Sequence, residues 1–297
     1  MLMPELPEVE TTTRGMRENV IGLTITDFWC GWDNILRGTN TKELKKKIIG
    51  TSFISVTRRG KNILAELSSG ECLVMHMKMT GHFMYGKYTY NKKENSWKPA
   101  SSGSPLSDPY NRFVHVVFSL SDGKHLVFCD ARKFGKIEII KTEMLGLHPR
   151  VGALGPEPLQ KDFTLETFKS RFFKKEKQTI KKVLLDQTVI AGIGNIYADE
   201  SLHLAGILPD RLVETLSSRE LKNLHLAIIV SLNKGLTLGG DSTSDYRNIY
   251  GEHGQSHHTH KVYRQTGATC TKRGCKGIIK RTVVAARGTH FCPTCQK

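Results

Sequence analysis

Apolar and polar residues follow three successive regimes along the chain. The first twenty residues fit a helix that begins after the prolines of MLMPELPEVE, with Glu8 and Glu10 near its positive N-terminal end. From Thr24 to about Lys141 the apolar runs are short and β-like: TITDFWC, TSFISV, NILAEL, CLVMHM, RFVHVVFSL, HLVFCD and KIEII. Turn signals separate several of them, among them SSG at 68–70 and SDG at 121–123. One basic helix, TKELKKKI, interrupts the series, and so many short strands at close spacing predict a sandwich or barrel. Residues 86–112 are polar and rich in Ser, Pro and Gly, and are expected to form a mobile surface insertion between strands.

At 143–160 the chain turns to Pro and Gly, as an interdomain linker does. Helical periodicity then takes over in TLETFKSRFFKK, TIKKVLLDQ, NIYADESLHLAG and SSRELKNLHLAIIVSLNKGL. Ser217 and Glu220 have the spacing of a capping box at the start of the last of these. A second polar loop, 239–260, ends in the His-rich SHHTH.

Charge narrows the class of partner. The 297 residues carry 44 Lys and Arg against 28 Asp and Glu, a net charge of +16 that suits a polyanion such as nucleic acid. No apolar run approaches a membrane-spanning length, and the acidic, proline-broken N-terminus does not read as a signal peptide. An intracellular, cytoplasmic protein is expected, nucleoid-associated if the source is bacterial.

Cysteine usage is uneven. Cys30, Cys72 and Cys129 lie among apolar runs and read as reduced core thiols. The other four form Cys270-x4-Cys275-x16-Cys292-x2-Cys295, two pairs flanking a segment long enough for a β-hairpin. Such pairs can present four thiolates tetrahedrally to one Zn²⁺. Four cysteines leave no open position for substrate, so the zinc is expected to be structural. Zinc ribbons also serve ribosomal and transcription proteins, and the basic hairpin, with Lys276, Lys280, Arg281 and Arg287, favours nucleic acid among these possibilities.

Three segments carry a resemblance: PELPEVE at 4–10, LLDQTVIAGIGNIYADESLHLAGILP at 184–209, and the terminal cysteine finger. In this order they closely resemble the formamidopyrimidine-DNA glycosylase family of base-excision repair enzymes. The likeness covers essentially the whole chain apart from 86–112. It implies an α+β multidomain fold: an N-terminal catalytic β-sandwich domain with flanking helices (1–142), a linker (143–160), a helix–two-turn–helix domain (161–260) and a zinc-finger β-hairpin (261–297). It also implies a monomer acting on damaged double-stranded DNA lying between the domains, without a membrane.

By that resemblance Pro4 is the nucleophile through its backbone nitrogen. A free N-terminal proline is a secondary amine, and its attack on C1′ gives an iminium that permits β- and then δ-elimination. Glu5 would protonate the opening sugar ring, and Glu8 would help order the same network. Met1, Leu2 and Met3 precede Pro4 and would make its nitrogen an amide, so translation is expected to start at Met3 or the leading residues to be trimmed. Lys61 would contact phosphate and assist base release, while Arg287 in the finger would grip phosphates flanking the lesion. His76 and Asn195 match phosphate-binding positions, Asn195 at a helix start where backbone N–H groups favour an anion. Met79, Arg132 and Phe134 match the side chains that fill the hole left by an extruded base. The loop 239–254 corresponds to the cover over an everted oxidised purine, with backbone amides near Ser242–Tyr246 as base contacts.

Two departures from the family pattern stand out: four residues separate the first cysteine pair where two are more usual, and Lys78 has no assigned role. Two other readings stay open at this stage. One is an endonuclease VIII-like enzyme for oxidised pyrimidines, the other a zinc-ribbon nucleic-acid-binding protein that has lost catalysis.

Overall fold

A computed structural model describes residues 3–297. Met1 and Leu2, on which the expected start at Met3 bears, lie outside the described residues. The chain divides into two compact units, one of residues 1–152 and 238–255, the other of 153–237 and 256–297. The break at 152/153 falls inside the expected linker. The expected 161–260 domain, by contrast, is interrupted, because 238–255 belongs to the first unit. The reason is visible in its contacts: Asp241 N–H and the Tyr246 hydroxyl both donate to Glu8, and Tyr85 N–H donates to the Ile249 carbonyl.

The first unit opens with α1 (Leu6–Val20), then β1 (Ile25–Cys30), β2 (Leu36–Arg37) and α2 (Thr41–Ile48). It continues through β3 (Phe53–Arg59), β4 (Asn62–Leu67), β5 (Glu71–His76), β6 (His82–Gly86), β7 (Tyr88–Asn91) and β8 (Ser96–Pro99). Its last strands are β9 (Val114–Leu120), β10 (His125–Cys129) and β11 (Lys136–Lys141). Two sheets form, in the orders β2-β11-β5-β4-β3 and β1-β9-β10-β6. Their facing sides share one core that includes Phe53, Val56, Ile63, Phe83, Phe118, Phe128 and Ile137. Val9, Met16 and Val20 of α1 enter the same core, a spacing that puts them on one helix face. Each such buried apolar side chain contributes about 1.5–3 kcal/mol relative to exposure.

Residues 86–112 are built structure, not an unstructured surface loop. The β7–β8 hairpin is followed by 3₁₀ turns at Pro105–Ser107 and Pro109–Arg112. Tyr88, Trp97 and Leu106 pack on Met84, Val117 and Val127, which lie on the outer face of the β1-β9-β10-β6 sheet. Without that cover the sheet would show apolar residues on both faces, a pattern the sequence carries only as FMY and VVF runs. The edge strand β6 follows directly on the KMTG turn, where no alternation announces it.

The second unit holds α3 (Leu165–Phe173), α4 (Ile180–Leu185), α5 (Asn195–Ala205), α6 (Ser218–Thr237) and the hairpin β12 (Lys280–Val284)–β13 (Arg287–Phe291). Its buried residues include Leu184, Ile193, Ile196, Leu202, Leu224 and Ile228. The Ser217–Glu220 capping box forms as expected, with Glu220 N–H on Ser217 Oγ at 3.2 Å and Ser217 N–H on Glu220 Oε2 at 2.8 Å. No helix of the described residues is long and apolar enough to cross a membrane.

Candidate active site and metal centre

Pro4 and Glu5 are buried immediately before α1. Pro7 lies in the first turn, where its missing N–H removes no helix bond. Glu8 Oε2 accepts the Glu5 N–H at 2.7 Å, and Glu8 Oε1 accepts the Asp241 N–H at 2.8 Å. The Glu8 carboxyl therefore fixes both the helix head and the start of the 238–255 segment. Burial, joined by the neighbouring Glu5 and Asp241 carboxyls, pushes Glu8 up to about 7. The two N–H donors oppose that rise without cancelling it.

A cluster of cations occupies the same unit. Lys61 is buried, and His76 ends β5 with its Nδ1 accepting the Lys78 N–H at 3.0 Å. Burial, together with Lys78, Lys61 and Arg150, holds the His76 imidazole down at about 3, so the ring is neutral. Lys78 is itself pulled below its ordinary value by desolvation and by Arg150, Arg37 and Lys136. Lys78, the residue without a role in sequence, thus supplies a capping amide from a left-handed backbone (φ 58°) and a charge to this cluster. The positive charge that pulls down His76 and Lys78 favours a polyanion beside this cluster.

Met79, Arg132 and Phe134 come together. An Arg132 guanidinium N–H points at Met79 Sδ at 3.2 Å, and the guanidinium carbon lies 4.5 Å from the centre of the Phe134 ring. None of the three is in the core, and Phe134 is 43% exposed. Fully buried Asp130 shapes their turn, accepting the Arg132 N–H at 3.2 Å, the Gly135 N–H at 2.7 Å and the Thr80 hydroxyl. Lys133 between them is left-handed at φ 58°, a strained conformation for a non-glycine.

In the second unit Asn195 is the first residue of α5, and its side-chain N–H donates to the Gly288 carbonyl at 2.9 Å. Lys181 Nζ reaches Asp199 at 2.6 Å and the Thr289 hydroxyl at 2.7 Å, with both Lys181 and Asp199 shut off from solvent. Asp199 also accepts the His290 N–H at 2.8 Å. These bonds seat the hairpin whose exposed Arg287 follows a two-residue turn, Ala285 and Ala286, at φ 53° and 56°. That turn type ordinarily takes Asn-Gly, and two alanines there are strained. Sequence reasoning missed Lys181 and Asp199; a lysine in the apolar helix IKKVLL and an aspartate in NIYADE were the available signal.

The four finger cysteines converge. Their Sγ atoms all lie within 4.8 Å of one another, with Cys270–Cys295 at 3.8 Å and Cys275–Cys292 at 3.6 Å. A tetrahedron with Zn–S of about 2.3 Å has edges of about 3.8 Å, so the set fits one zinc ion. Gly277 is required beside it, since a Cβ there would meet Cys292 Sγ at 2.6 Å. The longer first spacing between cysteines is accommodated. A histidine unmarked in sequence, His203 of α5, brings Nε2 to 3.3 Å from Cys270 Sγ. Held by Cys270, Cys275, Cys292 and Cys295, the ion supplies cross-linking to the finger.

These parts define a zinc-finger protein with a β-sandwich and a helical module, and the comparisons with known proteins find the same three parts, except that the helical match runs on into the 238–255 segment. A formamidopyrimidine-DNA glycosylase N-terminal domain matches 3–137, the corresponding H2TH domain 154–247, and a zinc finger found in FPG and IleRS 272–297. The chain belongs to the formamidopyrimidine-DNA glycosylase family. The formamidopyrimidine-DNA glycosylase of Geobacillus kaustophilus is 39% identical, over 99% of this chain and 100% of that one. That of Streptococcus pneumoniae serotype 4 is 36% identical, over 99% of each. A Lactococcus lactis FPG mutant solved with a Fapy-dG containing DNA matches at TM-score 0.84 and 33% identity, covering 99% of this chain and 100% of that one. The wild-type Lactococcus lactis protein, solved with an oxidized pyrimidine containing DNA, matches at TM-score 0.83 and 33% identity over the same shares.

Proposed function

We propose that this chain is a bifunctional DNA glycosylase and AP lyase of base-excision repair. It excises 8-oxoguanine and formamidopyrimidines from damaged double-stranded DNA, as a monomer, in the cytoplasm and at the nucleoid of a bacterial cell. The observation that carries this reading is the buried Pro4–Glu5 pair at the head of α1, its backbone held by Glu8.

In this reading the Pro4 nitrogen lone pair forms a bond to C1′, the glycosidic electrons leave with the base, and the proton lost from the Pro4 nitrogen is taken up by the departing base, directly or through solvent. An α-amino group ordinarily titrates near 7.7–8.0, which leaves a neutral fraction at working pH. Glu5 delivers a proton to the ring oxygen as the sugar opens, giving an iminium. Loss of the C2′ proton then expels the 3′ phosphate, and a second elimination expels the 5′ phosphate. The acting nitrogen carries no acyl group, so the acting chain begins at Pro4. Lys61 contacts phosphate and assists base release and elimination; Arg287, His76 and Asn195 hold phosphates around the lesion. Arg132 faces the orphaned base while Met79 and Phe134 fill the stack. Residues 239–254 cover the everted base. Within Ser242–Tyr246 the Thr243 N–H is already engaged by Asp241 at 3.0 Å, which leaves the remaining amides as base contacts.

The test is borohydride trapping on an 8-oxoguanine duplex, with the cross-linked peptide mapped. An adduct on Pro4 is expected. An adduct mapping to Lys61, or none on any lesion duplex, would overturn the mechanism. An oxidised-pyrimidine duplex in the same panel addresses the second substrate class, which the Lactococcus lactis complex brings into view; excision faster there than on 8-oxoguanine would reverse the assigned preference.

A further inference from the structure

The insertion at 86–112 touches the 238–255 segment at several points, all within the first unit. Asp108 receives both contacts of the Arg247 Nη2 group, at 3.2 Å on Oδ1 and 3.1 Å on Oδ2. The other terminal nitrogen of Arg247 donates to the Ser244 carbonyl at 3.0 Å and the Tyr246 carbonyl at 2.9 Å. Arg247 is only 1% exposed, and its guanidinium carbon sits 4.8 Å from the centre of the Tyr110 ring. His253 Nε2 reaches Asp108 Oδ2 at 3.3 Å from the far limb of the same segment. Gly251 passes so close to the insertion that a Cβ would meet the Pro105 carbonyl oxygen at 2.6 Å, with φ at +86° excluding most side chains in any case.

The insertion is in turn tied to the sandwich. The Asn111 side chain donates to the Pro105 carbonyl at 3.0 Å and pairs with His82 Nε2 at 2.9 Å, and the Cys129 thiol donates to the Asn111 carbonyl at 3.0 Å. Asp108 also accepts the Tyr110 N–H at 2.9 Å, so its carboxylate is fixed before it meets Arg247. A buried guanidinium is costly unless paired, and here one carboxylate pairs it while two loop carbonyls orient it. One limb of the segment hangs on Glu8, and the other on Asp108.

We propose that Asp108 and Arg247 are positioning residues that set the 239–247 backbone at the height needed to read a base. The insertion thereby becomes part of the specificity apparatus for base-bearing lesions. The inference rests on residues 239–254 being the cover over the everted base. An abasic site offers no base to cover, so its cleavage does not need the buttress. A misplacement of about 1 Å in a positioning group can cost on the order of 100-fold in rate.

The test compares single-turnover excision of 8-oxoguanine with incision of a preformed abasic site, using the full enzyme with Pro4 free. For D108A and R247A, excision is expected to fall about 30- to 100-fold while abasic incision stays within about threefold. The double variant is expected to match R247A alone, because the two residues act as one unit. D108N and R247K keep the volume with a weakened pair and are expected to fall between. Equal losses on both substrates in all variants would make the contact purely structural and overturn the proposal, as would unchanged excision in R247A. A chain with 242–246 replaced by glycines separates the underlying reading: if it excises 8-oxoguanine at the native rate, the cover itself is refuted, whatever Asp108 does.

Discussion

Two turns, one in each unit, present side chains toward the surface in the same way and are secured differently. Arg132 and Phe134 flank a left-handed lysine, and Arg287 follows two left-handed alanines. A buried aspartate stands behind each: Asp130 bonds the turn itself, whereas Asp199 bonds His290 in the strand that follows the turn. Asp130 is satisfied by neutral donors, two backbone N–H groups and a threonine hydroxyl. Asp199 faces the charged Lys181 in a pair closed to water, beside a four-cysteine cluster. The contrast follows from what surrounds each turn. The sandwich turn sits on two sheets with a shared core, whereas the finger is a two-stranded hairpin with only a small cluster, Val262 and Ile279 among its cysteines. Metal and ion pair supply what so small a core does not.

Breaking the second arrangement is therefore expected to cost most. Structural zinc contributes about 10–16 kcal/mol of apparent folding free energy in isolated fingers. Chelation is expected to melt the β12–β13 hairpin and abolish detectable DNA binding in a mobility-shift assay. The tryptophans, Trp29, Trp32 and Trp97, all belong to the first unit, and their near-UV dichroism should persist after chelation. A chelated protein that still binds DNA with native affinity would show that the finger contributes no grip.

Lys181→Met is expected to have the next largest effect. It removes the lysine charge that Asp199 faces and leaves a buried carboxylate supported by His290 alone, at about 3–5 kcal/mol. Urea unfolding would read the loss. The companion double change K181M/D199L should recover much of it, since an apolar pair of similar volume needs no compensation. A destabilisation under about 1 kcal/mol for K181M would place this pair among weak surface bridges instead.

The smallest effect concerns the first unit and its pH dependence. Glu8 rises from an ordinary 4.5 to about 7, chiefly through burial. Between those values the folded chain keeps a proton that the unfolded chain has lost, so the stabilising contribution is complete below about 4.5 and fades as pH rises through about 7. Tm is expected to decline by a few degrees between pH 5 and 7.5, and Glu8→Gln should flatten that decline. An identical slope in the variant would assign the pH dependence to other groups.

Much of the architecture was legible because short-range rules govern it. The capping box at Ser217, the seven β-like runs and the finger spacing are local patterns, and they formed where expected. The β7–β8 hairpin was hidden because its apolar residues, Tyr88 and Trp97, are spaced among Lys, Asn and Ser, and their burial depends on an outer sheet face made elsewhere in the chain. The family resemblance places 238–255 with the helical domain; their hydrogen bonds to Glu8 and Asp108 span well over a hundred residues of sequence and leave no local trace. Met79 and Phe134 could as well have been core residues by composition, and the turn at Asp130 is what brings them to the surface.

Composition and motif by themselves determined the chemistry available to this protein: a proline beside a carboxyl, a strongly cationic composition, and four thiols at metal-binding intervals. Such choices are written in residue identity and nearest-neighbour spacing, which survive in a linear string. Tertiary structure alone decided which carboxyl is held near neutrality, which lysine is closed to water, and that an insertion grips a loop more than a hundred residues away. Proton affinity and loop height depend on burial and on partners that only the folded chain brings within hydrogen-bond range.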